Sequence, residues 1–155
     1  MRSTTGAKVF PIPPPLYFLA SFGVGWLLHL ATDDHIGGRP ATIWIGAALL
    51  AGGLAIDVWA TVTFRRARTT VIPWQQVSAI VTSGPYQFSR NPMYVGMVME
   101  CVGGALLIDS WWPILMAGFA AAFVQIVVIT PEEQYLSREF PSEYADYRAR
   151  VRRWL

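Results

Sequence analysis

Four stretches of the chain are apolar on every side, and short polar connections separate them. Leu16 to Ala31, Ala41 to Phe64, Met93 to Ile108 and Trp111 to Ile129 are helix-length runs without a polar stripe. A surface helix of a soluble domain needs a polar face, so these runs predict helices solvated by lipid. A helix rises about 1.5 Å per residue, and crossing the hydrocarbon takes roughly 20 residues. The second and fourth runs meet that length. The first has 16 residues and is extended backwards by Pro11 to Pro15, prolines that suit an interfacial polyproline approach better than a helix interior. The third is marginal: it either spans with little tilt or forms a helical hairpin with the fourth through Asp109-Ser110-Trp111-Trp112-Pro113. Further on, Tyr144, Tyr147, Val151 and Trp154 recur at steps of three, four and three. That spacing predicts an amphipathic helix with its arginines toward anionic headgroups, a lipid-surface anchor ahead of a binding element. The expected fold class is an all-α integral membrane protein with about four transmembrane helices and a C-terminal amphipathic cytosolic helix. It forms one domain over 1–155, with a helical pair and linker in 1–79.

Charge placement strengthens this picture. Val9 to Thr32, Pro40 to Phe64 and Asn91 to Pro131 together hold 90 residues with three charges, whereas the other 65 residues carry 19. An ordinary globular domain and a disordered chain are both excluded by that segregation. A net charge of +2, with arginines dispersed among apolar spans, gives no nucleic-acid surface. Arg2 and Lys8 before the first run resemble a signal peptide, but no small-residue cleavage site follows, so a retained helix is expected. Arg65, Arg66, Arg68 and Arg90 lie between runs two and three, and Arg138, Arg148, Arg150, Arg152 and Arg153 follow run four. Positive loops stay inside, which puts both termini in the cytoplasm and leaves the Asp33-Asp34 loop and Asp109 outside. A multi-pass protein of the bacterial inner membrane is the expectation. Cys101, the single cysteine, can form neither an internal disulfide nor a cysteine metal cluster, and it reads as a packing residue. No metal site is expected.

Two polar segments border the third and fourth runs. In the first, Asn91 is a good N-cap, Pro92 suits the first helical position and Gly84-Pro85 marks a turn. This local explanation gives no reason for Tyr86, Arg90, Tyr94 and Gly96 to cluster there. A helix N-terminus beside an arginine is also a natural seat for a carboxylate. In the second, Thr130 as N-cap, Pro131 at the first position and Glu133 three residues on read as a capping box, which leaves Glu132 unexplained.

Taken together, Gly84-Pro85-Tyr86, Arg90-Asn91-Pro92-Met93-Tyr94-Val95-Gly96 and Glu132-Glu133 with Leu136, Phe140, Tyr144, Tyr147 and Val151 resemble the signature of the isoprenylcysteine carboxyl methyltransferase and phospholipid N-methyltransferase superfamily. The resemblance covers roughly Ile80 to Val151 in two ordered, separated motifs. It implies a small integral membrane enzyme that takes its methyl group from S-adenosylmethionine and releases S-adenosylhomocysteine. It further implies that Tyr86, Arg90, Asn91, Tyr94 and Gly96 line one side of the cofactor pocket and Glu132 and Glu133 the other. Tyr144, Tyr147, Arg148 and Arg150 would close it from the tail, which makes 80–155 the cofactor-binding half. Asn91 stands where the family more often has histidine; it keeps hydrogen bonding but cannot titrate.

Ionisable groups inside apolar runs are costly and become functional candidates. Glu100 could orient an acceptor or take its proton. Asp57 reads equally as a substrate-binding or catalytic group and as an ion-pair staple to Arg65, Arg66 or Arg90. Arg150 joins them as a substrate contact. Gln125 reads as a hydrogen-bonding residue between helices and His29 as an interfacial or packing residue. The expected function is S-adenosylmethionine-dependent methyl transfer to a lipophilic, membrane-embedded acceptor, by in-line displacement at the cytosolic face; the acceptor group is a carboxylate, thiol or amine. Two other readings stay open, a non-catalytic scaffold of the same fold and a sterol-reductase-like oxidoreductase. A homodimer is compatible with so short a chain, though no motif argues for one.

Overall fold

A computed structural model describes residues 12–67 and 79–155, and within them the regular structure is helical. Arg2, Lys8, Pro11 and Arg68 fall outside the described residues, as does most of the linker after Arg65. Helix α1 spans Pro14–Thr32, α2 Ala41–Arg66, α3 Pro92–Ile108 and α4 Trp112–Val124; α5, Thr130–Glu139, and α6, Pro141–Arg150, follow. The polyproline reading of the first run needs correction. Pro14 and Pro15 open α1 itself, where a missing N–H costs nothing, and Pro13 before them keeps an extended backbone with φ −54° and ψ 129°.

α4 and α5 are one continuous helix from Trp112 to Glu139, joined through a wide π-turn over Gln125–Ile129. The capping box expected at Thr130 is therefore absent, because Thr130 lies inside a helix and no N-terminus exists there to cap. Among the described residues, three helices are long and apolar enough to cross a membrane: α1, α2 and the α4–α5 unit. α3 has 17 residues and so reaches about 26 Å, slightly short of the usual hydrocarbon thickness. It turns into α4 through Asp109 and Ser110, so the two form the hairpin expected as one alternative.

The helices pair α2 with α3 and α1 with α4. Glycines set how closely α2 and α3 approach. A Cβ on Gly53 would meet the Gly96 carbonyl oxygen at 2.6 Å, and one on Gly46 would meet that of Gly103 at 2.8 Å. These pairs match an antiparallel crossing with no room for side chains at the seam. On the outside, Trp44 is 75% exposed and Phe119 68% exposed. Apolar side chains standing outward on several helices have lipid as their natural solvent.

The bundle has two distinct ends. At one, Asp34 joins the α1–α2 loop to the α3–α4 turn: it pairs with His29 Nδ1 at 2.9 Å and accepts from Ser110 Oγ at 3.0 Å and the Trp111 N–H at 2.7 Å. His29, read from the sequence as an interfacial or packing residue, holds a loop here. At the other end lie Arg65 and Arg66, Arg90, the two glutamates and α6.

α6 also departs from expectation. It ends at Arg150, before Val151 and Trp154, and its apolar face does not lie on lipid. Tyr144, Tyr147 and Val151 are buried together against Ile80, Leu136 and Phe140. The three-four spacing was real, but the protein's own end provides the surface it covers.

Candidate active site

The segment before α3 is a short 3-10 turn, Gly84–Gln87. Gly84 has φ +60°, and a Cβ there would meet Thr63 Oγ1 at 2.6 Å, so only glycine allows the turn to lie on α2. The turn buries Tyr86 edge-on to Phe64, with ring centroids 5.0 Å apart. The Tyr86 carbonyl accepts the Tyr147 hydroxyl at 2.7 Å. Asn91 sits at the N-cap of α3 without capping through its side chain. Ser89 Oγ instead accepts the Asn91 N–H at 3.0 Å, and Asn91 Nδ2 donates to the Arg153 carbonyl at 2.9 Å. Together with the Arg90 N–H donating to the Arg152 carbonyl at 2.9 Å, these bonds strap the chain's last residues across the start of α3.

Arg90 and Glu133 form the electrostatic centre. Arg90 Nη1 lies 3.1 Å from Glu133 Oε1 and donates to the Tyr144 hydroxyl at 3.2 Å. Arg153 grips the same carboxylate with Nε at 3.1 Å and Nη2 at 2.6 Å. The Arg90 and Glu133 side chains are 9% and 12% exposed, whereas Arg153 is 38% exposed, so the first pair is the desolvated one. Arg153 is held above its ordinary range by its bond to Glu133. Burial, and then the Glu133 charge, push the Tyr144 hydroxyl up to about 12. Burial likewise raises Tyr86 and Tyr147. All three phenols thus stay protonated at neutral pH and serve as neutral donors and aromatic walls.

These groups surround a cavity of about 120 Å³. Tyr86, Arg90, Asn91, Tyr94, Glu132, Glu133, Tyr144 and Tyr147, all singled out from the sequence, line it. Two unmet polar groups stand out. Arg90 Nε is buried without a hydrogen-bond partner, and Glu132 makes no hydrogen bond or ion pair among the described residues. The remaining wall is apolar and includes Met93, Met97, Ile129 and Leu136.

Five sequence-selected residues lie elsewhere, Gly96, Arg148 and Arg150 among them. Gly96 faces α2, where a Cβ would collide with the Asp57 carboxylate; two residues after Tyr94 it points about 200° away around the helix. Arg148 is exposed on the outer face of α6, and Arg150 is also exposed, its Nε turned back onto the Asp146 carbonyl at 3.2 Å. Pro14, Pro15 and Phe64, from before residue 79, also contribute to the cavity wall.

Asp57 and Glu100 line a second space, a groove of about 420 Å³ floored by α3 and flanked by α1 and by Leu50 of α2. It shares Pro15 and Met97 with the first cavity. Among the described residues no cation pairs with Asp57, and its Oδ1 is buried without a partner, so the expected staple to Arg65, Arg66 or Arg90 is not formed. Phe22, lying over Gly104, borders the groove's far side.

Sequence reading missed Arg153, Trp154 and the structural weight of Gln125. For the last, the signal was a polar residue within an apolar run, read as a hydrogen bond between helices. No group of three or more His, Cys, Asp or Glu side chains among the described residues is arranged to hold a metal ion.

A family model described as phospholipid methyltransferase matches residues 41–143, from the start of α2 into α6. The chain belongs to the phospholipid methyltransferase family. Among similar proteins, the nickel-cobalt-cadmium resistance protein NccN of Alcaligenes xylosoxydans xylosoxydans is 36% identical over 108 residues, 70% of this chain and 50% of that protein. The cobalt-zinc-cadmium resistance protein CzcN of Cupriavidus metallidurans is 31% identical over 108 residues, 70% of this chain and 49% of its own. The chain thus spans about half the length of these relatives. Within this family member, Pro14, Pro15, Tyr144, Tyr147 and the terminal strap lie outside the matched stretch.

Proposed function

We propose that this family member transfers a methyl group from S-adenosylmethionine to a lipophilic acceptor held in the membrane. The carrying observation is the cavity itself, which gathers an arginine with an unmet donor, a glutamate unpaired among the described residues and four tyrosines beside a lipid-side groove. Arg90 Nε suits the cofactor's carboxylate, and Glu132 suits its ammonium or ribose hydroxyls. Tyr86, Tyr94, Tyr144 and Tyr147 offer aromatic faces to a cationic sulfur. Bound there, S-adenosylmethionine would supply a methyl group to a nucleophile attacking in line with the carbon–sulfur bond, with neutral S-adenosylhomocysteine as the leaving group.

The groove takes the acceptor's apolar chain against Leu16, Leu19 and Phe22 and brings its head toward Met97 and Pro15. A carboxylate nucleophile needs no base, whereas a thiol or ammonium must first lose a proton. Glu100 and Asp57 are the carboxylates in the groove that would take it. The basic end of the bundle then faces the cytoplasm of a bacterial inner membrane, with both termini inside. Resistance to metals is named for the two relatives, and the reading here rests on the family and the cavity.

Calorimetric titration of detergent-purified protein with S-adenosylhomocysteine tests this. Saturable binding, abolished in an Arg90→Ala, Glu132→Ala double variant, supports it; folded wild-type protein that does not bind refutes it. A labelled-methyl screen of phospholipid vesicles, prenylated thiols and amines then finds the acceptor. With an amine acceptor, Glu100→Gln lowers turnover and leaves cofactor affinity nearly unchanged.

A further inference from the structure

The π-turn at Gln125–Ile129 has a consequence for where the glutamates point. Ala117, Ala120 and Val124 mark the face of α4 that is buried in the bundle. Glu132 follows Ala120 by 12 residues, which in an unbroken α-helix amounts to about 1,200°, three turns and a residual of roughly 120°. It would then lie at the edge of that face, and Glu133 would lie a further 100° or so around, on the far side. A π-turn accommodates one extra residue, which removes roughly 100° from everything downstream. Glu132 then falls within about 20° of Ala120, and Ile129, Glu133 and Leu136 fall around it on the cavity side. Those four residues are the ones α5 and the end of the turn contribute to the wall.

The turn has a local cause and a distant brace. Pro131 lacks an N–H and its ring would clash with the carbonyl four residues earlier, so a regular helix is disfavoured just upstream. Thr130 compensates: its N–H reaches the Gln125 carbonyl across the widened turn, and its Oγ1 donates to the same oxygen at 2.7 Å. The Gln125 side chain then accepts the Trp154 Nε1–H at 2.8 Å, and the Trp154 ring packs on Tyr94, itself a wall of the cavity. The expected interhelical bond of Gln125 is thus made to the terminal strap.

We infer that Gln125, Thr130, Pro131 and Trp154 are positioning residues: they hold a one-residue register shift in the last membrane helix, and that shift aims Glu132 and Glu133 into the cavity. The consequence for cofactor binding rests on the function proposed above; the register shift itself does not.

Two measurements separate these. In a Cys101→Ala background, Tyr94→Cys and Glu132→Cys are joined with a short bis-maleimide, with and without Thr130→Val, Pro131→Ala. Cross-linking that falls severalfold when threonine and proline are replaced supports the register shift; equal cross-linking overturns it. In the protein with native cysteine, Thr130→Val, Pro131→Ala and, separately, Gln125→Leu are titrated with S-adenosylhomocysteine. Roughly tenfold weaker binding is expected, as loss of one charged contact implies. Gln125→Glu keeps the acceptor for Trp154 and should restore most of the affinity. Removing an interior proline favours the helix, but turning Glu133 away leaves Arg90 unpaired, so the proline variant should melt several degrees below wild type. Weaker binding that Gln125→Glu restores, together with lost cross-linking in the folded protein, is the signature of positioning. A lowered melting temperature with unchanged affinity in all variants overturns the role. Altered cross-linking in a protein whose wild type binds no S-adenosylhomocysteine upholds the register device and refutes the cofactor reading.

Discussion

Glu133 accepts from Arg90 and twice from Arg153, so Glu133→Gln removes the charge on which two guanidinium groups converge. Breaking a buried pair by neutralising one partner costs about 3–5 kcal/mol, because the other charge is left desolvated. The Arg90 arm qualifies, with both side chains about one-tenth exposed and Arg90 Nε already without a partner. The Arg153 arm is more than one-third exposed, and solvent screening holds it to about 1 kcal/mol or less. We therefore expect Glu133→Gln to cost about 3 kcal/mol, near the lower bound because glutamine still accepts a hydrogen bond. Arg153→Ala should cost about 1 kcal/mol. For a chain of this size that corresponds to a fall of roughly 6–12 °C for the first and 2–4 °C for the second. Thermal unfolding in detergent micelles, followed by circular dichroism, reads both, and the double variant should lose little beyond Glu133→Gln alone. A Glu133→Gln variant melting within about 2 °C of wild type, or one no worse than Arg153→Ala, would refute the assignment of the buried pair.

Other outcomes follow from the packing and the far loop. Gly53→Ala drives a Cβ into the Gly96 carbonyl and should cost about 1–3 kcal/mol, whereas Gly23→Ala meets nothing within 4 Å and should stabilise by about 0.5–1 kcal/mol; paired melts test the contrast. Tyr147→Phe orphans the buried Tyr86 carbonyl and should cost about 1–3 kcal/mol, read by the same melts. Burial alone would raise Asp34, but bonds from His29, the Trp111 N–H and Ser110 outweigh it and hold the carboxyl below its ordinary 3.8. A lowered folded-state value adds stability that is complete above the unfolded value and is lost as pH falls through the folded one. Melting temperature should therefore drop below about pH 4, and Asp34→Asn should flatten that drop; an unchanged pH profile in the variant would contradict this.

Whatever depends on local pattern was readable in the chain. Hydrophobic runs are continuous in sequence because a membrane helix is one segment, so the four apolar helices and the Asp109–Trp111 turn came out where expected. The resemblance also brought eight cavity residues together in advance, since they sit in two compact motifs. Direction around a helix was harder. Gly96 was grouped with Tyr94 by motif, yet it faces α2, and Arg148 and Arg150 share a short helix with two buried tyrosines while pointing outward. Glu133 looked like a helix cap because Thr130-Pro131 imitates a helix start; only the continuous helix through the π-turn shows it to be the partner of Arg90. The tail's amphipathic spacing showed that one face is buried but could not say against what. The bonds of Arg153 to Glu133 and of Trp154 to Gln125 carry no local signal, because the partners are 20 or more residues apart and meet only when the terminal strap folds across α3. The sequence by itself determined which segments form apolar helices fit to enter a membrane, since hydrophobicity is a property of each segment. Tertiary structure alone decided which glutamate is paired and which is left open, since that depends on helix register and on contacts between distant parts of the chain.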